Sequence, residues 1–109
     1  MIEIETSLGH HQQFFTLAEV AKILNLKTAT GKNVGRNLLA KVLKYNKVLM
    51  PDNSPYQSYV NMDLIRLHYT VKGSHVYTLP IFTENGVRFL KTRFEIGKYS
   101  VFYETLFNQ

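Results

Sequence analysis

Two short amphipathic patterns, separated by mostly polar residues 25–32, constrain this chain more than any other feature. The first follows Phe14-Phe15-Thr16. Thr16 and Glu19 stand at capping-box spacing, so each side chain can satisfy an orphan amide at a helix start. Leu17, Val20, Ala21 and Leu24 then recur at i, i+3, i+4 and i+7, an apolar face that predicts a helix ending near Asn25. Residues 25–32 include Gly31 and read as a turn. The second pattern predicts a helix from about Asn33 to Asn46. Val34, Gly35, Leu38, Leu39, Val42 and Leu43 share one half of its wheel; Asn33, Arg36, Asn37, Ala40, Lys41, Lys44 and Lys47 share the other.

The polar half of that second helix carries cations and amides and no carboxylate. An ordinary surface helix mixes signs to gain i,i+4 pairs; this one forgoes them, which makes sense if phosphates supply the negative charge. The imbalance extends beyond the helix. No acidic residue stands between Glu19 and Asp52, while Lys22, Lys27, Lys32, Arg36, Lys41, Lys44 and Lys47 all do. These seven cations exceed the whole chain's net charge of +5, so the rest sums to −2. A positive excess confined to one segment points to an anionic partner.

Downstream, Val48-Leu49-Met50 stops at Pro51, and Pro51-Asp52-Asn53-Ser54-Pro55 reads as a loop. Tyr56 to Val60 is expected to be extended. Leu64–Val71 and His75–Leu79 are rich in β-branched and aromatic residues and flank Lys72-Gly73-Ser74, a hairpin turn signal. Pro80 is expected to end the second strand. Thr83 reads as the N-cap of a third helix, with Phe82 and Val87 at hydrophobic-staple spacing and Val87, Leu90 and Phe94 facing inward.

The expected class is α+β: a winged helix-turn-helix with a β-hairpin wing and an aromatic C-terminal extension. Residues 1–13 form an N-terminal arm with one strand, 14–93 the winged-helix domain, and 94–109 the extension. The extension holds Phe94, Tyr99, Phe102, Tyr103 and Phe107, five of the chain's fourteen aromatics. A solvated tail would not carry so many; they cover the domain's own core or bury against a partner, a second copy included.

Taken together, Phe15-Thr16-Leu17-Ala18-Glu19-Val20-Ala21-Lys22-Ile23-Leu24, Gly35-Arg36-Asn37-Leu38-Leu39 with Leu43, Pro55-Tyr56-Gln57-Ser58-Tyr59-Val60, and Val76-Tyr77 with Thr83-Glu84-Asn85-Gly86-Val87 carry a family resemblance. From Phe14 to Arg93 the chain resembles the KilA C-terminal domain of phage antirepressor proteins. The resemblance implies a phage or prophage DNA-binding winged helix acting in the cytoplasm of a bacterial host. The chain departs from the family in its aromatic tail and in lacking a tryptophan after the second helix.

Enzyme chemistry is not expected. Gly31-Lys32-Asn33 resembles the end of a phosphate-binding loop, but Leu26 stands where its first glycine belongs and Asn33 replaces Ser or Thr. Adjacent His10 and His11 point apart on a strand, and the chain has no cysteine to complete a thiolate metal site. His68 and His75 are expected to form a cross-strand surface pair, and Tyr69 and Tyr77 to pack inward. No nucleophile stands beside an evident base, no cofactor is expected, and no run of about twenty apolar residues offers a membrane span.

The binding expectation is double-stranded DNA. Lys32, Lys41, Lys44 and Lys47 would neutralise phosphates, Arg36 and Asn37 in the first turn of the second helix would reach base edges, Asn33 belongs to the same binding face, and Lys72 at the wing tip would touch backbone or minor groove. The alternative is a stand-alone phage inhibitor of a host repressor or defence complex. It would bind a host protein or an RNA-containing complex through the basic face, with Tyr99, Phe102, Tyr103 and Phe107 as apolar anchors.

Overall fold

The structure, a computed structural model, describes residues 2–5, 11–28, 30–99 and 101. It is a mixed α+β domain, with four helices and a four-stranded antiparallel sheet among these residues. The strands are β1 (Ile2–Glu5), β2 (His11–Thr16), β3 (Ile65–Lys72) and β4 (His75–Thr83), ordered β1-β2-β4-β3. The N-terminal arm therefore holds two strands rather than one. They pair with each other, and Phe14–Thr16 of β2 pairs with Ile81–Thr83 of β4.

Helix α1 (Leu17–Leu24) starts where the sequence indicates. Thr16 Oγ1 accepts from the Glu19 N–H at 3.3 Å, and Glu19 Oε1 accepts from the Thr16 N–H at 3.0 Å, which completes the capping box. Asn25 ends the helix in the left-handed region (φ 49), donating its N–H to Ala21 O at 3.1 Å. The segment that follows is more ordered than a polar turn. Lys27 and Asn33 form an isolated bridge, Val34 N–H donates to Leu26 O at 3.0 Å, and the buried Thr28 accepts the Lys32 N–H on its hydroxyl at 3.1 Å. This tight link delays helix α2 to Arg36–Tyr45, three residues later than expected, so Asn33 lies outside it. Leu39, Val42 and Leu43 are fully buried, and Val34 reaches the core from the link. Gly35, expected on the inner face, is the exposed N-cap.

Lys47 turns the chain at φ 62, and Val48 and Leu49 enter the core. Helix α3 (Gln57–Asn61) then replaces the expected extended segment. Local bonds close the chain into a helix here. Tyr59 N–H donates to Tyr56 O at 3.0 Å, and the Gln57 amide donates to Asn61 Oδ1 at 2.9 Å. Asp63, at φ 57, leads out of this turn into β3.

Strands β3 and β4 pair without interruption from Ile65↔Phe82 to Lys72↔His75 around a two-residue Gly73-Ser74 turn. That register contradicts three expectations. His68 pairs with Leu79 and His75 with Lys72, so the two histidines are not a cross-strand pair; His75 instead lies 6.0 Å from the Tyr77 ring. Tyr69 and Tyr77 are 64% and 51% exposed, because the hairpin projects beyond the pairing with β2 and none of the described residues covers them. Pro80 does not end the strand; it is buried within β4, opposite Leu67. Pairing to β2 stops at Ile81, so beside Pro80 one edge of β4 is open and the missing N–H removes no ladder bond there.

Helix α4 (Glu84–Glu95) begins at Thr83, whose hydroxyl accepts from the Gly86 N–H at 2.9 Å. It ends in a Schellman motif: Gly97 is left-handed (φ 77), Lys98 N–H donates to Arg93 O at 2.9 Å and Gly97 N–H to Phe94 O at 3.3 Å. One core joins the helices to one sheet face, from Leu17, Val20 and Leu24 through Leu39, Val42 and Leu43 to Ile65, Phe82, Val87 and Leu90.

Candidate nucleic-acid interface

Helix α2 carries Arg36, Lys41 and Lys44 on its polar side. Its N-cap, Gly35, offers no side-chain bond, and its first turn contains no acid. Helices α1 and α4, by contrast, each have a threonine cap and a glutamate in the first turn. The first amides of α2 are thus left for solvent or for an anion, since a helix N-terminus favours negative charge. Arg36, Asn37 and Lys41 are exposed along the same helix, and Lys44 is half-buried.

Two concavities meet at Arg36. One, of about 380 Å³, runs between the start of α2 and β4; it is lined by Arg36, Asn37 and Ala40, by Thr16 at the start of α1, by Asn53, and by Thr78 and Pro80. The other, of about 360 Å³, lies between α1 and the link and is lined by Lys22, Asn25, Asn33, Gly35 and Arg36. The structure therefore places Asn37 in the first concavity and Asn33 in the second, with Arg36 lining both. It also adds residues not chosen for the interface from sequence: Asn53 and Thr78, together with Thr16, Lys22 and Asn25, which the sequence marked only as a cap, a member of the basic stretch and a helix end. Helical periodicity could not find Asn53 or Thr78, because the loop and the hairpin are brought there by tertiary packing.

The other sequence-selected cations are distributed more widely. Lys32 is exposed in the link, Lys47 in the turn after α2, and Lys72 at the hairpin tip. Lys27 donates to Asn33 Oδ1, so Asn33 carries a cation beside it. Lys44 is the exception to an acid-free face. Asp52 lies within its electrostatic reach; that carboxyl is held below its ordinary range mainly by hydrogen bonds from the Ser54 hydroxyl and amide, with a smaller contribution from Lys44.

Of the proposed tail anchors, Tyr99 is engaged within its own domain. Its hydroxyl bonds that of Tyr59, and its ring lies edge-on to Phe94 at 5.5 Å and Phe89 at 6.5 Å. Burial pushes the Tyr99 phenol well above its ordinary range, and the bond to Tyr59 adds to the effect. Phe102, Tyr103 and Phe107 lie outside the described residues. Among the described residues no His, Asp and Glu cluster could hold a metal ion, and no helix is long and apolar enough to cross a membrane.

No curated protein and no solved structure matches the chain. A family model, that of the phage antirepressor protein KilAC domain, matches residues 7–96. The match takes in the α1–α2 pair, the concave surface around Arg36, the hairpin and α4. The chain belongs to the phage antirepressor KilAC domain family, whose domains are regulatory rather than enzymatic.

Proposed function

We propose that this is a winged helix-turn-helix domain that binds duplex DNA, with α2 entering the major groove and the β3–β4 hairpin serving as the wing. The observation that carries the reading is the position of Arg36 and Asn37. They stand at the uncapped start of a cationic helix and line the cleft that separates it from the hairpin. In helix-turn-helix proteins the N-terminal residues of the second helix contact base edges. Arg can bond guanine O6 and N7 together, and Asn can bond adenine N6 and N7. Lys22, Lys32, Lys41 and Lys47 would meet phosphates on either side, with Lys72 on the backbone beside the wing.

Fluorescence anisotropy of a labelled duplex, titrated at several salt concentrations, tests the reading. Micromolar binding that weakens steeply with salt is the expected result, and absence of binding at low salt would sink it. After selection of a preferred site, Arg36→Ala should erode discrimination at one base position by about 1–3 kcal/mol. If sequence preference survives that substitution unchanged, Arg36 holds a phosphate rather than a base.

A further inference from the structure

The hairpin has a feature that DNA binding leaves unused. Strand β3 is the last in the sheet, and among the described residues nothing pairs with its outer edge. Soluble proteins blunt such edges with charged side chains, proline, a bulge or short length. Here the charges, Arg66 and Lys72, stand near the two ends of the strand; between them Leu67–Val71 carries no charged residue, proline or glycine, and all eight residues pair with β4 in unbroken register.

The phase of the ladder says which groups are free. Residues flanking a two-residue turn make the hydrogen-bonded pair, and bonded and unbonded pairs alternate from there. Lys72↔His75 is that first pair. Thr70, His68 and Arg66 therefore direct their backbone groups toward β4, whereas Val71, Tyr69 and Leu67 direct theirs outward. Pro80 agrees with this phase, since it stands opposite Leu67 at an unbonded position. The residues with outward backbone groups also carry an exposed apolar stripe on one face. Leu67 is 38% exposed, Tyr69 64% and Val71 66%.

We infer that β3 pairs antiparallel with β3 of a second copy, making a two-fold dimer with a continuous sheet. An antiparallel edge is complementary to itself, because each outward N–H meets a carbonyl of its symmetry mate. Charge selects the register. Centring the axis on Tyr69 would set Arg66 against Lys72 of the second copy. Centring it on His68 sets Arg66 against Thr70, and it gives the stripe apolar partners throughout: Leu67 against Tyr69, and Ile65 against Val71. Like charges directly opposite are avoided and aromatic–aliphatic pairs are formed.

The same geometry leaves the Arg36 cleft free, while Lys72 at the hairpin tip comes to stand opposite Leu64 of the second copy. The cleft beside Arg36 takes its sheet residues from β4 and none from β3. A two-fold normal to the sheet keeps both sets of helices on one side, so two α2 helices would face a two-fold site together.

The absence of cysteine from the chain allows a direct test. In the His68-centred register the two copies of residue 68 form an unbonded pair about 4.5 Å apart at Cα, within disulfide range. The two copies of residue 70 are separated by about 13 Å along the strands. Mild oxidation should cross-link H68C into a covalent dimer and leave T70C without a cross-link. Sedimentation of the unmodified chain from micromolar to submillimolar concentration should show a dimer. Tyr69→Lys should shift that equilibrium to monomer, while Tyr77→Lys, on the opposite face of the same hairpin, should leave it in place. A monomer throughout the range, or a dimer indifferent to Tyr69→Lys, would overturn the inference. Cross-linking of T70C in preference to H68C would overturn the register. These readouts use the protein alone, so they stand whether or not the chain binds DNA.

Discussion

A Cβ at Gly86 would overlap the Leu64 carbonyl oxygen and lie 2.9 Å from its carbon. The reason is local. Leu64 O already accepts from the Thr83 N–H at 3.0 Å and from its hydroxyl at 3.2 Å, which draws the start of α4 onto the start of β3. Only glycine fits on the third residue of that helix. Its place in Thr83-Glu84-Asn85-Gly86-Val87 was visible in the sequence as a motif, and the cap was visible too. The close approach was not, because Leu64 is brought to Gly86 by sheet registration. Gly86→Ala should cost about 3 kcal/mol, as overpacking against backbone does, and lower the thermal midpoint by roughly 10 °C or more. A melt within a few degrees of the parent would show that the two segments separate easily. Gly35 makes the opposite case: nothing lies within 4 Å of its virtual Cβ, and its φ of −84° suits any residue. Gly35→Asp should therefore cap α2 and stabilise the domain by about 0.5 kcal/mol. On the DNA reading it should also weaken duplex binding several-fold, because it places an anion where phosphate would approach. A variant that is more stable and binds equally well would place the phosphates elsewhere.

Elements were legible where they are fixed by local chemistry and illegible where packing fixes them. The capping box at Thr16, the N-cap at Thr83 and the Gly73-Ser74 turn were readable because a cap or turn needs only neighbours in sequence. The start of α2 was misplaced because the buried Thr28 and the Lys27–Asn33 bridge hold residues that a helical wheel would include. Helix α3 was missed because five residues are too few to display a helical period, and Pro80 because its tolerance depends on where a neighbouring strand stops. The C-terminal turn of α4 is an element whose role can be measured. Gly97 reverses the chain, and Tyr99 lands beside Tyr59, Phe89 and Phe94, with Arg93 over the Phe89 ring at 4.7 Å. Tyr99→Phe should remove the hydroxyl bond and cost about 1 kcal/mol at neutral pH. Alkaline behaviour gives a second readout. An unfolded tyrosine ionises near pH 10, and Tyr99 in the fold holds its proton to higher pH. Its contribution is therefore complete below about pH 10 and lost as pH rises beyond that value. Denaturant melts across this range should show a shallower alkaline decline in Tyr99→Phe than in the parent; identical slopes would mean that the phenol is not held in the fold.

For the molecule as a whole, segregation of charge along the sequence becomes segregation in space only in part. The acid-free stretch from residue 20 to 51 supplies the end of α1, the link and all of α2, which pack as one unit and share the concavity around Arg36. Folding also returns one anion to that unit. Asp52, the first acid after the stretch, curls back through its bonds to Ser54 until it lies within reach of Lys44. Cations that look equivalent in sequence should therefore differ in a salt titration. Each phosphate neutralised contributes about −0.9 to the slope of log K against log salt. If Lys41 meets one phosphate, Lys41→Ala should remove about one unit of slope. Asp52 lies within electrostatic reach of Lys44; if its charge offsets part of that of Lys44 at the interface, Lys44→Ala should remove less. Asp52→Asn should restore the difference, raising affinity and making Lys44 worth as much as Lys41. Equal losses for the two lysines, unaffected by Asp52→Asn, would mean that the loop anion plays no part at the interface and that the whole length of α2 meets the duplex with one uniform face.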